Sequence, residues 1–131
     1  MITLDASLVI AHLSAHDANH HRATRFLRDS TTEVLLMHPL NLAEVLVGGV
    51  RAGRGQEMLE DLGAMGITAS AAGESDPLAL ATLRAETALK LPDCCALATA
   101  LKSGSALATF DDRLAQVATS RHVMVLPDRP D

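Results

Sequence analysis

Short apolar runs alternate with amphipathic segments along the whole chain. The runs are bounded by Gly, Ser, Pro or acidic residues and predict five strands: MITL, EVLLMH, GITAS, SALATF and VMVLP. The segments between them repeat apolar residues at three- and four-residue intervals, which is typical of helices. Alternation of this kind in one short chain predicts an α/β fold, a three-layer α/β/α arrangement around a central parallel sheet of about five strands.

Capping residues indicate where several of the seven predicted helices begin and end. The helix after the second strand is predicted to begin at Asn41, a favourable N-cap, and to end at the glycine pair 48–49. A later helix has Asp76 as its cap and Pro77 at its first position. The stretch SAHDAN interrupts the helical pattern early in the chain, and SAAGESD predicts a surface loop.

Length and composition indicate one soluble domain, residues 1–131, with a single core. No apolar run approaches the ~20 residues of a membrane span, and no signal-peptide pattern opens the chain. We therefore expect a cytoplasmic protein with no membrane contact. The adjacent Cys94 and Cys95 do not make a disulfide framework and are interpreted as small core residues.

The charge distribution limits how the protein could bind nucleic acid. A net charge of −5 argues against binding by bulk electrostatic attraction. The basic residues are unevenly placed, however: Arg22, Arg25 and Arg28 follow one side of a predicted helix, and Arg51 and Arg54 follow a glycine pair. These arginines are either solvated helix faces or a local phosphate-contacting ridge, and the sequence leaves both interpretations open.

Four acidic residues from remote segments are predicted to meet at one edge of the sheet. Asp5 ends the first strand, Glu44 lies early in the helix after the second, Asp93 opens a later helix, and Asp111 follows the fourth strand. Ligands of open α/β sheets bind outside the carboxyl ends of the strands. Two carboxylates a few ångströms apart repel by roughly 4 kcal/mol at an effective dielectric of 20, so such a cluster requires a cation or raised pKa values. Oxygen ligands favour Mg²⁺ or Mn²⁺, which suits phosphoryl chemistry.

Helix capping is the alternative explanation for three of these acids. Glu44 stands three residues after Asn41, the spacing of a capping box. Asp93 and Asp111 could cap the helices that they precede. Asp5 is harder to explain in this way, because it places a charge at the end of an apolar strand.

Other functional classes are less well supported. His12, His16 and His20 could bind zinc only on one continuous helix, which SAHDAN is expected to break. No nucleophile-elbow motif supports a Ser/His/Asp hydrolase, and no glycine-rich loop follows a strand to hold a nucleotide. A response-regulator receiver would need an acidic pair after the first strand and a lysine after the last, whereas Lys90 and Lys102 lie in predicted helices.

The order and spacing of four segments make the chain similar to a known family. The segments are LDASLVI, HPLNLAEVLVG, LPDCCALATALKSGSALATFDD and VMVLP. The chain resembles the PIN-domain ribonucleases, and among them the VapC-type toxins of bacterial toxin–antitoxin pairs. The resemblance runs essentially from end to end. It implies that the acidic quartet of the family is Asp5, Glu44, Asp93 and Asp111, and that small polar residues beside it are Ser7 and Thr109. Asp112 falls where the family varies, and we interpret it as a helix-capping neighbour of the site.

The resemblance implies hydrolysis of RNA assisted by one or two Mg²⁺ or Mn²⁺ ions. Asp5, Asp93 and Asp111 are expected to coordinate the metal, and Glu44 is expected to orient the attacking water or to join them. Because aromatic residues are nearly absent, we expect recognition by phosphate contacts, RNA shape and an arginine or two rather than by base stacking.

The resemblance also implies partners. We expect tRNA or another structured RNA as substrate, a VapB-like antitoxin that blocks the acidic site, and a homodimer. The alternatives are a PIN-fold RNA-processing nuclease outside a toxin–antitoxin pair, and a PIN scaffold that binds without catalysis.

Overall fold

A five-stranded parallel sheet runs through the centre of the molecule. The computed structural model describes residues 1–71 and 76–129. Its strands are β1 (Ile2–Leu4), β2 (Leu35–Met37), β3 (Ile67–Ala69), β4 (Ala106–Ala108) and β5 (Val125–Leu126). Every neighbouring pair is parallel, and the order is β3-β2-β1-β4-β5. The predicted parallel sheet of about five strands is confirmed.

The described residues form seven helices that connect these strands. They are α1 (Ala6–Leu13), α2 (His20–Asp29), α3 (Pro39–Arg51), α4 (Gly55–Ala64), α5 (Pro77–Thr87), α6 (Leu91–Ser103) and α7 (Asp112–Ser120). As predicted, residues 14–19 separate α1 from α2. None of these helices is long and apolar enough to cross a membrane.

Two hydrophobic cores cover opposite faces of the sheet, so the prediction of a single core was wrong. One core packs α1 to α4 against β1 to β3, and the other packs α5 to α7 around β4. Successive strand residues point to opposite faces, so Leu107 belongs to the second core and Ala108 to the first. Val125 and Leu126 divide in the same way. This division produces the three-layer α/β/α architecture that the sequence predicts.

Two helices begin earlier than the sequence analysis predicted. Helix α3 begins at Pro39, with His38 as N-cap, because the fixed φ of proline suits the first helical position. Asn41, predicted as the cap, is instead buried inside that helix. Helix α6 begins at Leu91, so that Asp93 is its third residue rather than its opening one.

The caps of two other helices are clear. Asp76 caps α5 by accepting the backbone N–H of Leu78 at 3.0 Å, as predicted. Helix α7 is capped by Asp111, which accepts from Leu114 N at 2.9 Å, so the assignment of the capping role to Asp112 was wrong. Asp112 is the first residue of the helix.

Two further predictions concern local features. Cys94 and Cys95 are buried free thiols, in agreement with their interpretation as small core residues. Of the predicted loop SAAGESD, residues 72–75 lie outside the described residues.

Candidate active site

The structure gathers the four predicted acids around one cleft at the carboxyl edge of the sheet. Strands β1 and β4 are neighbours there, and the order of strands along the chain reverses between them. This reversal is the usual position of a binding crevice in an open α/β sheet. The cleft has a volume of about 240 Å³, and its polar lining residues are Asp5, Ser7, Asn41, Glu44, Asp93 and Asp111.

Asp5 is the most deeply buried acid of the cleft. It is 4% exposed and caps α1, accepting the backbone N–H of Leu8 at 3.0 Å. The Ser7 hydroxyl lies 2.8 Å from each of its carboxylate oxygens, and the Thr109 hydroxyl donates to Oδ2. Burial raises the pKa of Asp5, while these hydrogen bonds oppose the rise and the charge of Asp111 adds to it. The fold therefore holds a carboxylate in place despite a large desolvation cost.

Thr109 joins the ends of β1 and β4. Its side chain is fully buried, and its hydroxyl oxygen accepts the backbone N–H of Asp111 at 2.9 Å while its proton goes to Asp5. One hydroxyl therefore fixes the positions of two of the four acids. The predicted position of Thr109 and Ser7 beside the acids agrees with these contacts.

Asp93 is the acid that the surrounding charges affect most clearly. Burial raises its pKa to about 6, and repulsion from Asp111, Asp5 and Glu44 adds to the rise, opposed by Lys90. Its carboxylate accepts no hydrogen bond from residues 1–71 or 76–129, and it does not cap α6, whose N-cap is Lys90. Helix capping, the alternative that the sequence left open for Asp93, does not explain its position.

Glu44 is held by a residue that the sequence analysis did not assign to the site. Asn41 donates from Nδ2 to Glu44 Oε1 at 3.4 Å and to the backbone oxygen of Pro92 at 3.0 Å. These contacts join α3 to α6. Because Asn41 lies inside α3, the capping-box interpretation of the Asn41–Glu44 spacing is wrong. A buried asparagine in an apolar stripe beside an acid was the signal that could have identified it.

The chemistry of the donors fits a hard divalent cation, although the side chains are not preassembled around one. Within the described ranges, no three Asp, Glu, His or Cys side chains lie close enough to form a ready-made metal site. The cleft nevertheless presents oxygen donors, and Oδ1 of the buried Asn41 has no hydrogen-bond partner among the described residues. Four mutually repelling carboxylates with carbonyl oxygens nearby match the ligand preference of Mg²⁺ or Mn²⁺.

Positive charge lies immediately beside these acids. A second cleft of about 370 Å³ adjoins the first, and its charged lining residues are Glu44, Lys90, Asp93, Asp111 and Arg113. A phosphate in this cleft would lie near cations as well as carboxylates. Local charge of this kind is compatible with an acidic protein that binds an anionic substrate.

The remaining sequence candidates lie apart from the four acids. The carboxylate of Asp112 is 89% exposed, lies 3.7 Å from Arg129 and does not line the acidic cleft. The rings of His12 and His20 stack at 6.4 Å, but His16 lies in the turn between α1 and α2. The broken helix therefore removes the spacing that a zinc site on these histidines would need.

Solved structures share this fold at low sequence identity. A toxin–antitoxin complex from Klebsiella pneumoniae matches with 23% identity and a TM-score of 0.67, covering 85% of this chain and 87% of the other. VapC20 of Mycobacterium tuberculosis, a toxin that cleaves the sarcin–ricin loop, matches with 20% identity and a TM-score of 0.68, covering 89% and 95%. FitAcB from Neisseria gonorrhoeae matches with 19% identity and a TM-score of 0.69, covering 97% of each chain.

Comparison with protein families is more specific. No curated protein matches the sequence significantly. The PIN domain family, however, matches residues 2–120, which include all four acids and every strand except β5. The chain belongs to the PIN domain family.

Proposed function

We propose that the chain is a Mg²⁺- or Mn²⁺-dependent ribonuclease that hydrolyses RNA phosphodiesters. The observation that carries this proposal is the convergence of Asp5, Glu44, Asp93 and Asp111 on one cleft at the β1/β4 edge. Membership of the PIN domain family supports the assignment to a nuclease. The raised pKa of Asp93 supports it physically, because the fold tolerates a repulsion that a bound cation would relieve.

Each acid has a role that follows from its surroundings. Asp5, Asp93 and Asp111 would hold the ion, which when bound would supply polarisation of the scissile phosphate and activation of the attacking water. Glu44 is exposed at the mouth of the cleft and orients that water, with Asn41 restraining its carboxylate. Ser7 and Thr109 favour the ionised form of the Asp5 carboxylate and fix its orientation by donating to it.

We further propose that the enzyme is the toxin of a toxin–antitoxin pair. Solved structures that share this fold include a toxin–antitoxin complex and a toxin that cleaves the sarcin–ricin loop. Apolar side chains on α1 and α3 support a protein partner: Ile10, Leu13, Val47 and Val50 are each more than 40% exposed. A VapB-like antitoxin would cover such a surface and present an Arg or Lys to the acidic cleft, and a homodimer would bury a further apolar face. A structured RNA such as tRNA, in the cytoplasm, is the proposed substrate.

A cleavage assay tests the catalytic proposal. Purified protein should cleave RNA with Mg²⁺ or Mn²⁺ and not with EDTA, and Asp93→Asn should abolish cleavage. Asp76→Asn is the matched control, because it makes the same change at an exposed helix cap that Asn can still serve. Equal loss of activity in both variants would contradict the assignment of the site.

A growth assay tests the toxin proposal separately. Expression of the wild type alone should arrest bacterial growth, and co-expression with a VapB-like antitoxin, to be sought in the adjacent reading frame, should restore growth. The Asp5→Asn variant should be harmless. A soluble, well-expressed wild type without effect on growth would refute the toxin role while leaving the ribonuclease proposal intact.

A further inference from the structure

A large cleft lined by charged, polar and apolar side chains lies near the acidic one and has no role in the chemistry described so far. Its volume is about 850 Å³, within the range of ~300–1,000 Å³ that is typical of ligand sites. Its polar and aromatic lining includes Asn19, Arg22, Phe110, Asp112, Gln116 and Arg129. Phe110 and Asp112 flank Asp111 in the chain, so consecutive residues line the two clefts.

Arg22 and Phe110 form a planar surface in this cleft. The guanidinium carbon of Arg22 lies 4.9 Å from the centre of the Phe110 ring, a cation–π contact. The contact restrains the orientation of the arginine from one side, and Arg22 remains exposed to the cleft. Although the sequence contains only two aromatic residues, this pair provides a surface on which a base could stack, because bases stack on guanidinium planes as well as on aromatic rings.

The charge of Arg22 is uncompensated. Among residues 1–71 and 76–129 it forms no ion pair, and its polar contact is with Oδ1 of Asn19 at 3.5 Å. Arg25 and Arg28, which follow it on α2, do not line this cleft. Of the three arginines along α2, Arg22 is therefore the one that lines this cleft.

Arg129 connects this cleft to the acids. Its Nη2 donates to the backbone oxygen of Asp111 at 3.3 Å, and its Nη1 lies 3.7 Å from the Asp112 carboxylate. Asp112 is 89% exposed, so this ion pair is weak and can yield to a phosphate. The cleft thus places two guanidinium groups, Arg22 and Arg129, beside the residues that flank Asp111, and neither of the cations of the second cleft, Lys90 and Arg113, lines it.

We propose that this cleft binds an unpaired nucleotide of the RNA adjacent to the scissile phosphodiester, an inference that rests on the ribonuclease function proposed above. The base stacks on the Arg22 guanidinium, which Phe110 supports, and the phosphate of that nucleotide contacts Arg129. The amide side chains of Asn19 and Gln116 lie where they could meet the base edge. The enzyme consequently prefers single-stranded RNA, since a base inside a duplex cannot reach a stacking surface.

RNA is a better occupant of this cleft than a protein segment. A protein partner covers apolar surface. This cleft also contains the apolar Ala115 and Val125 and the acid Asp112, but its two cations, two amides and one partly buried ring fit a nucleotide better than an apolar segment. The combination of positive charge and planar groups is the pattern of single-stranded nucleic-acid sites.

The test is RNA binding by fluorescence anisotropy, in the Asp93→Asn background so that the RNA stays intact. The probe is a short labelled single-stranded RNA that the wild type cleaves. Arg22→Ala should weaken its binding at least ~5-fold, the lower end of the loss expected for one stacked base. Arg22→Lys keeps the positive charge but lacks the planar guanidinium, so its affinity for the RNA should lie between those of the parent and Arg22→Ala. Arg25→Ala is the control, because it removes the same charge from the same helix outside the cleft, and it should bind like the parent.

Several outcomes separate the possibilities. Equal weakening by Arg22→Ala and Arg25→Ala, or full recovery with Arg22→Lys, would overturn the stacking role. Equal affinity for the same RNA in duplex form would do so as well. If Arg22→Ala bound RNA normally but lost the protein encoded beside this chain, the cleft would be a protein-docking surface. Arg129→Ala should also weaken RNA binding, which keeps the proposal testable if an Arg22 variant does not fold. A wild type that cleaves no RNA would instead refute the ribonuclease function itself.

Discussion

The Thr109 hydroxyl donates to Oδ2 of Asp5, across a separation of 104 residues in the chain. The same oxygen accepts the backbone N–H of Asp111 at 2.9 Å. Because Thr109 and Asp5 end the neighbouring strands β4 and β1, this contact ties the acidic cleft directly to the sheet. The positions of these two acids therefore depend on the packing of the core and not on a flexible loop.

Replacement of Thr109 should test this link. Thr109→Val keeps the shape of the side chain but leaves the buried Asp5 carboxylate and the Asp111 N–H without a partner, at a cost of about 1–3 kcal/mol in the free energy of unfolding. Thr109→Ser retains the hydroxyl. It should therefore lose less stability than Thr109→Val and keep more activity. Chemical denaturation of both variants measures the difference, and equal stability would show that the hydroxyl contributes little.

The pH dependence of stability should report the repulsion around Asp93. The pKa of Asp93 is about 6 in the folded protein, against 3.8 for an unperturbed aspartate, so the folded state binds the proton more tightly. The metal-free protein should therefore gain stability as pH falls from 7 to 5 and lose it as pH rises through 6. Because Asp93 is partly exposed and solvent screens its charge, this change in the free energy of unfolding should be about 1 kcal/mol, less than the full pKa shift would give.

Asp93→Asn isolates that contribution. The variant should be at least as stable as the wild type at pH 7 without metal. The substitution removes a repelled charge, and among the described residues it breaks no hydrogen bond to the Asp93 carboxylate. The difference in unfolding free energy between the two proteins should shrink toward pH 5. A difference that stays constant across this range would mean that the neighbouring acids do not disfavour the Asp93 carboxylate.

Asp111 should show two separable roles. Asp111→Asn keeps the hydrogen bond to Leu114 N, since Asn caps helices as well as Asp does, and should abolish cleavage with little loss of stability. Asp111→Ala should abolish cleavage and also destabilise the protein by about 1 kcal/mol. Thermal unfolding combined with the cleavage assay distinguishes these roles. Full activity of Asp111→Asn would assign Asp111 to capping alone.

Asn41 should be a positioning residue. Asn41→Ala removes the contacts to Glu44 and to the Pro92 backbone oxygen, so the variant should lose about 1–2 kcal/mol of stability and part of its activity. The readout that separates positioning from folding is the metal concentration needed for half-maximal cleavage. It should rise in Asn41→Ala, whereas a purely structural role would leave it unchanged in the folded protein.

The sheet and the positions of the acids could be predicted from the sequence for a physical reason. Parallel strands leave short apolar runs, and residues that follow such strands must meet at one edge, so Asp5 and Asp111 could be placed without coordinates. Helix starts were less predictable, because proline at positions 39 and 92 competes with Asn41 and Asp93 as a start signal.

Contacts between distant residues could not be predicted in this way. The donation from Thr109 to Asp5 and the stacking of Arg22 on Phe110 depend on how helices and strands pack, which local periodicity does not encode. The same holds for the bridge from Asn41 to Pro92, which joins two helices.

The most direct measurement of the central claim is an analysis of the ends of the RNA products. Hydrolysis by a water molecule at the acidic cleft should leave a linear monophosphate on one fragment. This product should form only when Mg²⁺ or Mn²⁺ is present, and Asp93→Asn should not form it. Attack by the 2′-hydroxyl of the RNA would instead leave a 2′,3′-cyclic phosphate and need no metal. Cyclic products formed in EDTA, at equal rates by the wild type and Asp93→Asn, would contradict the assignment of Asp5, Glu44, Asp93 and Asp111 as a metal-dependent catalytic centre.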